Sequence, residues 1–261
     1  MPPTTRWEPR FDFYFSEREG CPFSNSVDIE ARKHTPLASH PVALRARLQM
    51  RDPRPDGLRS AAEAPALFDF EDRLLARLTE GLDAIYVGRR VGDGRTEFLL
   101  YLPPSTTAEP ATLAAAVEPY EVSFTRVLDR NWTHYAELYP DTRQWQQISD
   151  LHLLETLQER GDQPDVPRDV DHMVYFDQRT AAEVAARTLT DRGFEFFDEP
   201  VKEREGKFAL AFHRVETSRF PDVRRFVDEI LDVVLPLGGD YDGWGCEVQS
   251  AGKGSGAGKK K

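Results

Sequence analysis

The chain has 261 residues, 39% hydrophobic and 30% charged, enough for one large domain or two ordinary ones and too apolar for disorder throughout. Acids number 45 against 34 Lys and Arg, and the resulting net charge of −11 argues against a phosphate-binding surface as the main business of the molecule. Residues 1–130 hold 20 acids and 17 bases, net −3, residues 131–250 hold 25 and 13, net −12, and the last eleven carry four lysines and no acid.

In chain order, a hairpin is expected from Phe11 to Ile29, then a strand over Val42–Met50, where Val42, Leu44, Ala46, Leu48 and Met50 alternate with polar residues. Ser60-Ala-Ala-Glu63 has the spacing of a capping box, so a helix should start there, with Leu67, Phe70, Leu74 and Leu78 at helical spacing and Gly81 as its stop. Ala84–Val91 and Thr96–Leu102 flank Gly92-Asp93-Gly94, a hairpin signal. A short Ala-rich helix, Thr106–Val117, and a strand, Tyr120–Val127, complete the order β, α, β, β, α, β.

The second half opens on a helix, Gln144–Arg160, with Trp145, Ile148, Leu151 and Leu154 on one broad face. The β, α, β, β, α, β order then returns. Val170–Phe176 is a strand, Asp177 is placed to cap a helix Thr180–Arg192, and Gly193 ends it. Phe194–Phe197 and Lys207–Arg214 pair, Pro221–Leu237 is an amphipathic helix, and Tyr241–Val248 closes the sheet. Each half therefore reads as an α+β, ferredoxin-like (split βαβ) sandwich, an antiparallel sheet with helices on one face. The expected domains are 1–130 and 131–250, followed by a disordered Gly/Lys tail, 251–261. That tail lacks the first glycine of a phosphate-binding GxxxxGK loop, whose place is held by Lys253.

No stretch approaches the roughly 20 apolar residues of a membrane-spanning helix, and Met1–Glu19 lacks a signal-peptide core, so a soluble, cytoplasmic protein with no membrane partner is expected. Cys21 and Cys246 show no CxxC spacing and read as buried or inert thiols. The six histidines form no HExxH and no i, i+4 pair, and no GxSxG elbow occurs. His172 shares a strand face with Val170, Val174 and Phe176 and reads as a core histidine. Asp162, Asp165, Asp169 and Asp171 surround Arg168 in a loop whose spacing does not match a calcium loop. A metal- or small-ligand site over Asp162–His172 is the alternative to a solvated charged loop. Strand alternation would put Asp242 on the face of Trp244 and Glu247 on the other, apart from Asp240. Phe208, Phe212, Tyr175 and Trp244 could stack RNA bases on such a sheet, but the surplus of acids favours core packing and no direct nucleic-acid contact.

Gly239-Asp-Tyr-Asp-Gly-Trp-Gly-Cys246 resembles the YDGWGT-type ending of the family of ribonuclease E inhibitor protein B, also called regulator of ribonuclease activity B. Trp145, Gly161-Asp162, Arg168-Asp-Val-Asp-His172 and Arg192-Gly-Phe194 agree in order, so the likeness covers about 131–249. Cys246 stands where that family has threonine, and the chain ends in Gly and Lys where members end in acids. The first half, with Phe11–Phe15, Met50–Gly57 and Tyr86-Val-Gly-Arg89, resembles domain of unknown function 695. The resemblance implies a non-enzymatic, cofactor-free protein whose acidic second domain binds and inhibits a basic partner, a ribonuclease E-type endonuclease. The candidate contact residues are Arg168, Asp171, His172, Asp240, Tyr241, Asp242, Trp244 and Glu247. A scaffold or dimerisation role for the first domain is a further alternative.

Overall fold

The computed structural model describes residues 7–197 and 199–250. The Gly/Lys tail, expected to be disordered, lies outside the described residues. The chain divides into two compact units, with the division between Gln144 and Trp145.

In the first unit, β1 (Phe11–Arg18) and β2 (Cys21–Asp28) form a hairpin, followed by β3 (Val42–Gln49), α1 (Ala64–Leu82), β4 (Ile85–Gly92), β5 (Arg95–Leu102), α2 (Pro110–Ala114), β6 (Val122–Leu128) and α3 (Thr133–Leu138). The sheet order is β1-β2-β4-β5-β3-β6, all neighbours antiparallel. Within it, β4-β5-β3-β6 is the order of a split βαβ sandwich, and the β1–β2 hairpin extends the β4 edge. Leu44, Ala46, Leu48, Phe98, Leu100 and Leu102 alternate to one face and close a core with Leu67, Phe70, Leu74 and Leu78 of α1.

Three local expectations fail. Ser60 Oγ does accept from the Glu63 N–H (3.1 Å), but α1 begins at Ala64, and the Glu63 carboxylate receives the backbone N–H groups of Arg51 and Asp52 (2.8 Å each) and the Tyr120 hydroxyl (2.9 Å). Gly81 lies inside α1, where a Cβ would sit 2.7 Å from Leu113 Cδ1, so it permits the approach of α2. The left-handed stop is Asp83, at φ 52°. The Ala-rich helix is also confined to Pro110–Ala114.

The domain boundary expected near Arg130 falls fourteen residues early, because α3 belongs to the first sheet. Trp132 stacks on Tyr101 at 3.8 Å and donates to the His40 carbonyl (3.0 Å), while the Tyr135 hydroxyl reaches the Asp28 carbonyl and that of Tyr14 the Leu138 carbonyl. Asp129 fastens the segment, accepting from the Tyr101 hydroxyl (2.7 Å) and from the backbone N–H groups of Thr133 and His134. Since Tyr101 points away from the α1 core, α3 covers part of the opposite sheet face.

The second unit contains most of α4 (Thr142–Glu159), then β7 (Arg168–Phe176), α5 (Arg179–Asp191), β8 (Glu195–Phe196), β9 (Lys202–Arg204), β10 (Lys207–Glu216), α6 (Phe220–Val234) and β11 (Asp240–Cys246). The order β11-β7-β10-β8 is again that of a split βαβ sandwich, with the short β9 paired to β10. Asp177 caps nothing: α5 starts one residue earlier than expected, with Gln178 at its N-cap and no side-chain cap. Val170, Val174, Phe176, Leu210 and Phe212 meet Val223, Phe226, Ile230 and Val234 of α6 in the core, and α4 adds Leu153, Leu154 and Leu157 to it.

Candidate functional site

The eight candidate contact residues do not form one surface. Arg168, His172, Tyr241 and Trp244 are buried, whereas Asp171, Asp240, Asp242 and Glu247 are exposed. The first four hold the second unit together from beneath the sheet.

Arg168 and Asp162 form a buried ion pair. Arg168 also donates to the carbonyls of Val166 (3.0 Å), Gln163 and Glu247 (3.2 Å), so its guanidinium ties the loop before β7 to the chain after β11. Asp162 accepts in addition from Ser218 Oγ (2.9 Å) and the Gln249 N–H (2.7 Å). Burial works to raise the Asp162 carboxyl, but these hydrogen bonds and the Arg168 charge hold it below the usual carboxylate range. With its oxygens so engaged, Asp162 is a clasp, and among the described residues no group of three His, Cys, Asp or Glu is placed to hold a metal. The loop reading as a metal site therefore loses its first ligand.

His172 lies stacked on Phe212 (5.2 Å) with the edges of Phe194 and Phe226 against it. Its Nδ1 is 2.9 Å from the Tyr241 hydroxyl, and its Nε2 meets no polar partner among the described residues. Burial, aided by the charges of Arg214 and His213, pushes its pKa down to about 3, so it is neutral near pH 7.

Strand alternation alone fails at β11. The register shifts between Tyr241 and Gly243, and Gly243 adopts φ +106°, a conformation that favours glycine. This bulge turns both Tyr241 and Trp244 into the core, three positions apart, and leaves Asp242 exposed, not on the face of Trp244. The YDGW segment thus reads structurally as strand, bulge and anchor. Trp244 Nε1 donates to Asp150 Oδ1 (2.9 Å), which also accepts from Gln146 Nε2 (2.8 Å). Burial raises the Asp150 carboxyl to about 6. The sequence reading missed Asp150, although it occupies the stripe position of Gln147, Leu154 and Leu157 on α4, a signal that could have marked it.

The opposite sheet face of the second unit carries the exposed acids. Asp169 and Asp171 alternate outward on β7, and the register places His213 of β10 opposite Asp171 and Glu195 of β8 opposite His213. His213 Nδ1 is 3.3 Å from Asp169 Oδ1 and its ring stacks on Phe197 at 4.5 Å. Glu247 is exposed just past β11, its carbonyl held by Arg168 at the same end. Phe197 (53% exposed) and Val215 (62%) lie beside this acidic end. Asp240 sits at the other end of the face, 3.9 Å from Lys207 Nζ. Tyr175 also points to this face, unlike Phe208, Phe212 and Trp244, which pack in the core as expected. Of the two thiols expected to be buried or inert, Cys246 is half-buried and pushed up by burial, and Cys21 is exposed.

The fold defines a protein of two tandem ferredoxin-like sandwiches, the first extended by a hairpin and by α3. Residues 9–139 match the model of the Family of unknown function (DUF695), and the chain belongs to that family. Residues 147–246, nearly all of the second unit, match the model of Regulator of ribonuclease activity B. Both resemblances seen in the sequence are therefore found, in the expected order. No curated protein matches the chain. Among solved structures, an unknown protein from Galdieria sulphuraria shares 11% identity over 79% of this chain and 98% of its own, with a TM-score of 0.22, too loose a likeness for any argument. Among the described residues no helix is long and apolar enough to cross a membrane.

Proposed function

We propose that the second unit is a non-catalytic regulator that docks the acidic end of its open sheet face on a basic surface of a ribonuclease E-type endonuclease and restrains RNA cleavage. The match to a regulator of ribonuclease activity supports the class of function. The observation that carries the docking mode is the grouping of Asp169, Asp171, Glu195 and Glu247 beside exposed Phe197 and Val215, on the face opposite the helices. An RNA-cleaving enzyme must present positive charge to its substrate, and an anionic face with an apolar anchor competes for that surface while gaining association rate. Arg168, His172, Tyr241 and Trp244 then act as the scaffold that fixes this face, and Asp171 and Glu247 remain as contacts.

The test is RNA cleavage by a purified ribonuclease E-type endonuclease with and without the full chain. Cleavage should slow at low salt and recover as salt screens the contact. Asp169→Lys with Asp171→Lys should abolish the effect while the protein stays folded. Unchanged cleavage with the unmodified chain, at any salt, would refute the proposal.

A further inference from the structure

The first unit carries a charged hollow on its open sheet face, of the opposite sign to the acidic face of the second. The sheet face that α3 leaves open presents Arg45 and Arg47 of β3, Arg90 of β4, Arg95 of β5 and Arg18 of β1 around a hollow of about 240 Å³, with the Phe23 ring on one wall. A smaller hollow of about 90 Å³ adjoins it and shares Arg18, Arg45 and Arg90.

The backbone places these residues together. The register aligns Tyr14, Asn25, Arg90, Glu97 and Arg47 in one row across β1, β2, β4, β5 and β3. A register shift between Tyr86 and Gly88 turns Arg89 toward α1, where it pairs with Glu71, and Arg90 to the open face. The β1–β2 hairpin, which has no counterpart in the second unit, supplies Arg18 and Phe23.

Charge balance inside the hollow is incomplete. Arg47 pairs with Glu97 and Arg95 with Asp93, but no carboxylate among the described residues pairs with Arg18, Arg45 or Arg90. Arg90 is nevertheless oriented: fully buried Asn25 accepts from its Nε at 2.9 Å and is itself held through its amide by Ser16 Oγ at 2.9 Å. Fixing Nε in this way leaves the two terminal amino groups of Arg90 for another acceptor. Burial and the neighbouring charge of Arg18 lower the affinity of Arg90 for its proton, and the nearby carboxylates of Glu97 and Glu137 only partly offset them.

We infer that this hollow is a phosphate-binding site, taking either a single phosphate group or the backbone phosphates of an RNA strand on Arg18, Arg45 and Arg90. Guanidinium forks match the paired oxygens of a phosphate, and three arginines without a direct ion pair, in a hollow whose five arginines outnumber its acids Asp93 and Glu97, suit its multiple charge. Phe23, whose ring overlies Gly92, offers an apolar wall on which a base attached to the phosphate can rest. The inference concerns the first unit and stands whether or not the second regulates a ribonuclease.

The test titrates the full chain with inorganic phosphate by calorimetry and with a fluorescein-labelled ten-nucleotide single-stranded RNA, alongside Arg18→Ala with Arg45→Ala and a control, Arg77→Ala, on the exposed side of α1. RNA should bind at low salt, and the double variant should bind at least ~10-fold more weakly, with the slope of log affinity against log salt reduced by about 2. The control should match the unmodified chain. Competition by inorganic phosphate would assign the site to a single phosphate, and RNA binding without such competition would assign it to the strand. The inference falls if neither probe binds, if the double variant binds as well as the unmodified chain, or if a polyglutamate peptide binds as tightly as RNA.

Discussion

The two open sheet faces of this molecule share a framework and oppose each other in charge. In both units the core order is that of a split βαβ sandwich, and in both the helices α1 and α2, or α5 and α6, take one face. On the other face the first unit places Arg18, Arg45, Arg47 and Arg90, and the second Asp169, Asp171 and Glu195. The fold decides which positions face outward, while side chains at alternate strand positions decide what can bind there. A net charge of −3 for the first 130 residues hides this, because acids such as Asp69, Asp72 and Glu80 are spent on the outer side of α1.

The comparison breaks most sharply inside the units. Arg168→Ala leaves Asp162 buried with no cation and should cost the second unit about 3–5 kcal/mol. Trp132→Ala should cost the first unit a similar ~3–5 kcal/mol by emptying the space on Tyr101. Hydrogen exchange followed segment by segment separates the two: protection should fall in β7 and β11 for the first variant and in β5 and α3 for the second. Loss of protection in both units from either variant would show that they fold as one.

The next effect is in pH. Asp150 has its carboxyl raised from 3.8 to about 6, so folding favours its protonated form, and holding the anion above pH 6 costs roughly 3 kcal/mol. This penalty is relieved as pH falls from 6 to 4. His172 has its pKa lowered from 6.5 to about 3, so the stability it confers is complete above pH 6.5 and lost as pH falls toward 3, roughly 5 kcal/mol in all. Between pH 6 and 4 the two slopes oppose each other, and urea unfolding of the second unit should change little. Asp150→Asn keeps an oxygen for the Trp244 and Gln146 donors and removes one slope. It should gain roughly 3 kcal/mol at pH 8 and then lose stability steadily below pH 6.5. A flat profile for the Asp150→Asn variant would exclude the His172 contribution.

Much of this architecture was legible in the sequence, for a physical reason: period-2 alternation in β3 and β10, period-3.6 stripes in α1 and α6, and the Gly92-Asp-Gly94 turn all report burial on one face. What was illegible depends on departures from a period. The bulge at Gly243 reverses the parity that placed Asp242 with Trp244, and the shift between Tyr86 and Gly88 decides which of Arg89 and Arg90 meets α1 and which the open face. The arginine hollow could not be seen because its members lie on four strands and converge only when the sheet is assembled in its register.

The smallest expected effect on stability is the most informative about the two faces. Asp171→Lys and Arg45→Glu each reverse one charge on an outward position, where substitutions away from buried partners usually fall within about 0.5 kcal/mol. Each should leave melting unchanged. Their binding effects should divide by unit: Asp171→Lys should lower affinity for a basic endonuclease and leave RNA binding intact, and Arg45→Glu should do the reverse. A single substitution that weakened both would show that the two faces do not bind independently, and the division of ligands by charge would fall.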